Sequence, residues 1–79
     1  MKVQLQYFSR LRDLDGPDFI EISEGATVGN LVERLYALVP RLRDWDKHLL
    51  IAADTDWVDR THVIRSGECI SLMPPVQGG

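Results

Sequence analysis

The 79-residue chain predicts an α+β fold: a mixed sheet of five strands or fewer, with one main helix packed on one face. Three observations carry the prediction. The hydrophobic period changes repeatedly along the chain, running in twos near both ends, holding a long helical 3.6 in the middle, and changing at clusters of Gly, Pro or Asp. A chain this short buries only ~60% of its unfolded surface, so sheet and helix must share one thin core. That leaves room for a single domain.

Val3, Leu5 and Tyr7 alternate with Lys2, Gln4 and Gln6, the pattern of a half-buried strand. Ser9 to Leu14 has the spacing of a short helical turn, which Asp15-Gly16-Pro17 ends with turn chemistry. Phe19 to Ile22 is a second strand, with Ile20 and Ile22 inward and Glu21 outward. Thr27 is the expected N-cap of the main helix, and Val28, Leu31, Val32, Leu35, Leu38 and Val39 form its apolar stripe. Asn30 stands where a capping box favours Glu or Gln, so half of that signature is expected. Pro40 ends the helix near Val39, because its ring restricts the preceding residue.

Arg41 to Lys47 is polar apart from Leu42 and Trp45, which suggests one helical turn beneath the sheet. Leu49 to Ala53 reads as a strand, Asp54-Thr55-Asp56 as a hairpin turn into Trp57-Val58, and Cys69 to Met73 as the last strand. In that strand Ile70 and Leu72 face one way, Cys69, Ser71 and Met73 the other. The order β, β, α, β, β, β is that of a β-grasp, the ubiquitin-like arrangement. It occupies residues 1–73, and residues 74–79 follow as an extended tail with a flexible Gly-Gly end.

Composition excludes several functions. A formal net charge of −3 argues against nucleic acid, whose phosphates call for clustered Lys and Arg. No apolar run approaches the ~20 residues of a membrane span, and Met1-Lys2 leads straight into a strand pattern. One cysteine excludes an internal disulfide and a CxxC pair, and the expected location is the cytoplasm. His48 and His62 have no partner at ligand spacing, so no metal site is expected. Asp44, Asp46, Asp54, Asp56 and Asp59 lack calcium-loop spacing and read as a solvated face. Cys69 reads as packed and inert, and Trp45 and Trp57 as core or edge packing, an exposed one pointing to an interface.

The chemistry concentrates at the C-terminus. Glycine has no Cβ, so a Gly78-Gly79 end can approach a reactive centre closely. Pro74 and Pro75 donate no ladder hydrogen bonds and favour an extended arm. Six residues at ~3.3 Å each carry the carboxylate up to ~20 Å from its last anchor. Phe8 and Met73 fall out of phase with their strands' inward positions, and with Arg12 and Leu72 they are the candidate docking residues.

Tyr7-Phe8-Ser9-Arg10-Leu11-Arg12-Asp13-Leu14, Thr27-Val28, Ser66-Gly67-Glu68 and above all Met73-Pro74-Pro75-Val76-Gln77-Gly78-Gly79 carry a family resemblance. Over essentially its whole length the chain resembles the MoaD/ThiS sulfur carriers, and within them the small subunits of molybdopterin synthase. It departs from that pattern at Asp54, where Asn is frequent, and at Met73, where an aromatic commonly precedes the prolines.

The resemblance implies a carrier that is catalytic only inside a complex. The Gly79 carboxylate is adenylated by an E1-like enzyme with ATP and Mg, and a sulfur donor protein displaces AMP to leave a thiocarboxylate. Pro74, Pro75, Val76, Gln77 and Gly78 thread into the large subunit, where sulfur passes to cyclic pyranopterin monophosphate. A heterotetramer of two small and two large subunits is implied, with no stably bound cofactor. A carrier for thiamine or tRNA thiolation, a ubiquitin-like modifier, and a plain interaction module remain as alternatives.

Overall fold

The computed structural model describes residues 1–75, and the expectations for Val76, Gln77, Gly78 and Gly79 lie outside the described residues. Five strands form one sheet: β1 (Lys2–Tyr7), β2 (Phe19–Glu21), β3 (Leu50–Ala53), β4 (Asp56–Trp57) and β5 (Cys69–Met73). Their order across the sheet is β2-β1-β5-β3-β4. β1 runs parallel to β5, and the other three pairings are antiparallel. The last strand therefore lies in the middle, gripped on both sides. Parallel neighbours need a long crossover, and the segment between β1 and β5 supplies it.

Register sorts the side chains. Leu5, Ile70 and Ala53 are directly opposite one another, as are Tyr7, Leu72 and Ile51, and these rows face the helix. The rows between them, Gln6-Ser71-Ala52-Trp57 and Met73-Leu50, face away. Leu5, Ile51, Ala53, Ile70 and Leu72 join Val3, Leu11, Ile20, Ile22 and Ile64 in one core with the helix.

The helix α1 (Val28–Leu38) buries Val28, Leu31, Val32, Leu35 and Tyr36. Two stripe positions depart from the sequence reading: Leu38 is 59% exposed, whereas Tyr36 is 2% exposed. At ~100° per residue these two side chains flank the stripe by similar angles on opposite sides. A 3₁₀ segment over Pro40–His48 packs against α1 and shelters Tyr36. That segment runs nine residues, longer than the single turn expected.

The cap of α1 is also more complete than predicted. Thr27 Oγ1 accepts from the Asn30 amide at 3.2 Å, and Asn30 Oδ1 accepts from the Thr27 amide at 2.9 Å. Asn30 thus supplies the returning half of the capping box, because its carbonyl reaches as a Glu carboxylate would. The next orphan donors are closed by the loop before β5: Val28 N donates to His62 O and Gly29 N to Arg60 O, each at 2.9 Å. A Cβ at Gly29 would stand 3.2 Å from the Arg60 carbonyl, so this close approach favours glycine.

Candidate functional site: the root of the C-terminal tail

β5 delivers the chain to Pro74 and Pro75 from the middle of the sheet, so the tail leaves from a strand paired on both sides. The Phe8 amide donates to Leu72 O at 3.0 Å, extending the β1–β5 ladder one residue past β1 and setting Phe8 beside the tail root. A 3₁₀ segment over Ser9–Leu14 begins there and pins Leu11 into the core. The Arg12 Nε–H donates to Tyr7 O at 3.3 Å. The Tyr7 hydroxyl donates to Pro17 O at 2.8 Å, fastening the turn below. Burial, and then the charge of Asp18, push the Tyr7 phenol up to about 12.

Around the root the outward sheet face turns apolar. Phe8, Leu50, Trp57, Met73, Pro74 and Pro75 line an open groove of about 560 Å³, joined by Trp45, Ser9 and Arg10. The next row supplies a floor of small side chains: Ser71 and Ala52 are only 5% and 6% exposed although they face away from the helix. Farther across the sheet the same face carries Gln4, Gln6, Lys2 and Glu21, with Phe19 exposed across from Gln4 and the Lys2 ammonium 4.5 Å from its ring centroid. This exposed apolar surface begins where the tail begins.

The predicted docking residues divide. Phe8 is 37% exposed, Arg12 is exposed and Met73 is half-buried, all near the tail root. Leu72 is the correction: it is fully buried, facing the helix beside Ile51 and Tyr7, so it presents no side chain to a partner. Strand alternation explains this, since Leu72 shares a face with Ile70 while Met73 takes the other. Of the two tryptophans expected as core or edge packing, with an exposed one pointing to an interface, Trp57 is the exposed one, at 66% on the two-residue edge strand β4. Its position across from Ala52, on the outward face, could have been found only from the strand register.

Electrostatic pairs elsewhere support the scaffold. The His62 Nε2 lies 3.1 Å from Glu68 Oε1, and the Arg65 amide donates to the same oxygen at 2.7 Å. Burial pushes the Glu68 carboxyl up, but the Arg65 amide and His62 together outweigh it and hold the group below its ordinary range. Burial raises the Cys69 thiol, which suits a packed side chain and not a nucleophile. Among the described residues no three His, Cys, Asp or Glu side chains gather as metal ligands, and no helix is long and apolar enough to cross a membrane. What the described residues build is an open apolar groove with the tail root in its wall.

The mixed five-stranded sheet with its helix on one face defines a ubiquitin-like β-grasp domain. The ThiS family model matches residues 5–79, and the chain belongs to that family, the ThiS/MoaD group. It is 32% identical over 82 aligned positions to the molybdopterin synthase sulfur carrier subunit of Mycobacterium tuberculosis (strain ATCC 25618 / H37Rv), covering 100% of this chain and 99% of that one. Among solved structures it resembles molybdopterin converting factor, subunit 1, from Pyrococcus furiosus, with a TM-score of 0.83 and 30% identity over 96% of this chain and 99% of the other. SAMP1 from Haloferax volcanii shares the fold at a TM-score of 0.83, with 22% identity and full coverage of both chains.

Proposed function

We propose that this chain is the sulfur-carrier small subunit of a molybdopterin synthase. The observation that carries the reading is the 32% identity to the mycobacterial sulfur carrier subunit along the whole chain. The apolar groove at the tail root supports it, because a protein that takes up the tail must close over that surface.

In this reading the Gly79 carboxylate is the reactive group. As an anion at neutral pH it resists nucleophiles, so it needs a leaving group first. An E1-like partner using ATP and Mg supplies one: the carboxylate oxygen attacks the α-phosphate, pyrophosphate departs, and an acyl-adenylate forms. The outer sulfur of a persulfide on a donor protein then attacks the acyl carbon and expels AMP. A second thiol cleaves the resulting acyl disulfide, leaving a disulfide on the donor side and a thiocarboxylate on Gly79, an ionised and polarisable nucleophile of the kind that thiolates are. The charged tail enters the large subunit's active site, and two such transfers to cyclic pyranopterin monophosphate build the dithiolene.

The residues of this chain do the positioning. Pro74 and Pro75 lower the entropy lost on immobilising the tail, and Gly78 keeps its last peptide thin. General acids and bases belong to the partner. The cytoplasm, which holds ATP and reduced sulfur, is the location we assign. The test is deletion of Gly79, or addition of one residue after it, followed by pterin conversion with a large subunit. Both variants should melt like the wild type and transfer no sulfur; retained transfer in either one overturns the mechanism. Intact mass of protein from cells separates the readings further: oxygen-to-sulfur exchange marks a carrier, and a ladder of conjugates marks a modifier.

A further inference from the structure

A 3₁₀ helix of nine residues does not hold itself, since its hydrogen bonds are poorer than those of an α-helix and runs beyond three or four residues are uncommon. The Pro40–His48 segment has external fastenings, and they converge on Asp46. Tyr36 of α1 donates its hydroxyl to Asp46 Oδ1 at 2.5 Å. The Arg60 guanidinium reaches the same oxygen at 3.0 Å and donates to the Asp46 backbone carbonyl at 2.9 Å. Arg43 lies over the Tyr36 ring, 4.8 Å from its centroid. Asp46 is thus gripped at side chain and main chain, from the helix and from the loop before β5.

The residue before it is Trp45. Its indole is half-buried against the core and lines the tail-root groove. It also lines a second groove of about 510 Å³ with Arg10, Asp13, Leu14, Arg41 and Asp44, so Trp45 and Arg10 stand between the two. We propose that Trp45 contacts the partner during sulfur transfer, and that Asp46, clamped by Tyr36 and Arg60, is the positioning residue that holds the indole at the groove. The occupant is the large subunit's surface around the opening that admits the tail. Pro74, Pro75 and Trp45 line one groove, so a protein that takes up the chain beyond Pro75 lies against the indole. An aromatic side chain fixed before docking loses little entropy on contact, and that gives the clamp its value.

This inference rests on the carrier reading, and the experiment separates the two. The thiocarboxylated chain is varied as substrate against the large subunit and the pterin precursor, for wild type, Trp45→Ala, Tyr36→Phe and the double variant. Trp45→Ala should raise KM about tenfold with kcat unchanged, the size of a moderate interface anchor. Tyr36→Phe keeps the buried ring and loses only the hydroxyl; it should raise KM severalfold and shift the Trp45 indole N–H resonance. The double variant should be no worse than Trp45→Ala alone, because Tyr36 acts through Trp45. Val3→Ala, a core change remote from the clamp, destabilises the fold and should leave KM alone, which removes a merely structural role from the comparison. An active wild type with unmoved KM in Trp45→Ala, or additive effects in the double variant, overturns this inference alone. A wild type that transfers no sulfur overturns the carrier reading, and the inference with it.

Discussion

Leu72 and Met73 are neighbours in β5, yet their substitution should break different properties. Leu72 is fully buried between Ile51 and Tyr7 in the central strand. Truncation to alanine removes three carbons and leaves a cavity that this tightly paired sheet cannot close, at a cost of about 3 kcal/mol. A domain of this length has a total stability of roughly 4–12 kcal/mol, so the loss is a large share of it. At ~4–8 °C per kcal/mol for domains of this size, the midpoint should fall by roughly 10–25 °C. Met73 faces outward into the tail-root groove and is only half-buried. Met73→Asp should cost less than about 1 kcal/mol of stability, while placing a charge where a partner must desolvate it. Affinity for the large subunit should fall at least about tenfold. Thermal melts of both variants, with calorimetric titration against the large subunit at a temperature where both are folded, give the four numbers needed. A Leu72→Ala variant that melts within a few degrees of wild type, or a Met73→Asp variant that binds normally, would refute the assignment of faces.

Other outcomes are expected. Thr27→Ala removes the acceptor for the Asn30 amide and should cost about 1 kcal/mol in urea denaturation; a change below a few tenths would mean the cap is not formed in solution. The Tyr7 phenol, raised from 10.0 to about 12, contributes stability that is complete below its ordinary pKa and is lost as pH climbs through that window. Absorbance titration of Tyr36→Phe, which leaves Tyr7 as the single tyrosine, should show the late ionisation, and a midpoint at 10.0 would contradict the burial of the Tyr7 phenol beside Asp18. Glu68 has the opposite sign: its folded pKa lies below the ordinary 4.5, so its contribution is present above that value and lost as pH falls through the folded pKa. Glu68→Gln should flatten the acid limb of the stability curve, and an unchanged limb would remove Glu68 from it.

The sequence carried the local elements well because their causes are local. Alternation in β1, the Thr27 cap and Pro40 each act within a few residues, and all three were legible. Half of the capping box went unseen because Asn30 is judged by residue type, whereas the structure judges it by reach. The exchange of Leu38 for Tyr36 in the core could not be read from the helix, since the element that shelters Tyr36 lies outside it. Tyr36, Asp46 and Arg60 were likewise invisible as a cluster, because they are separated by 10 and 14 residues in the chain.

By itself the sequence determined the β-grasp order, the strand faces and the tail of prolines and glycines, all written in short-range patterns. Tertiary structure decided which strand is central and what surrounds the tail root. Pairing joins residues far apart in the chain, so only the register could put Trp57 across from Ala52 and Leu50 across from Met73. It also withdrew Leu72 from the docking surface, because a strand with neighbours on both sides and a helix over one face leaves only its other face to a partner.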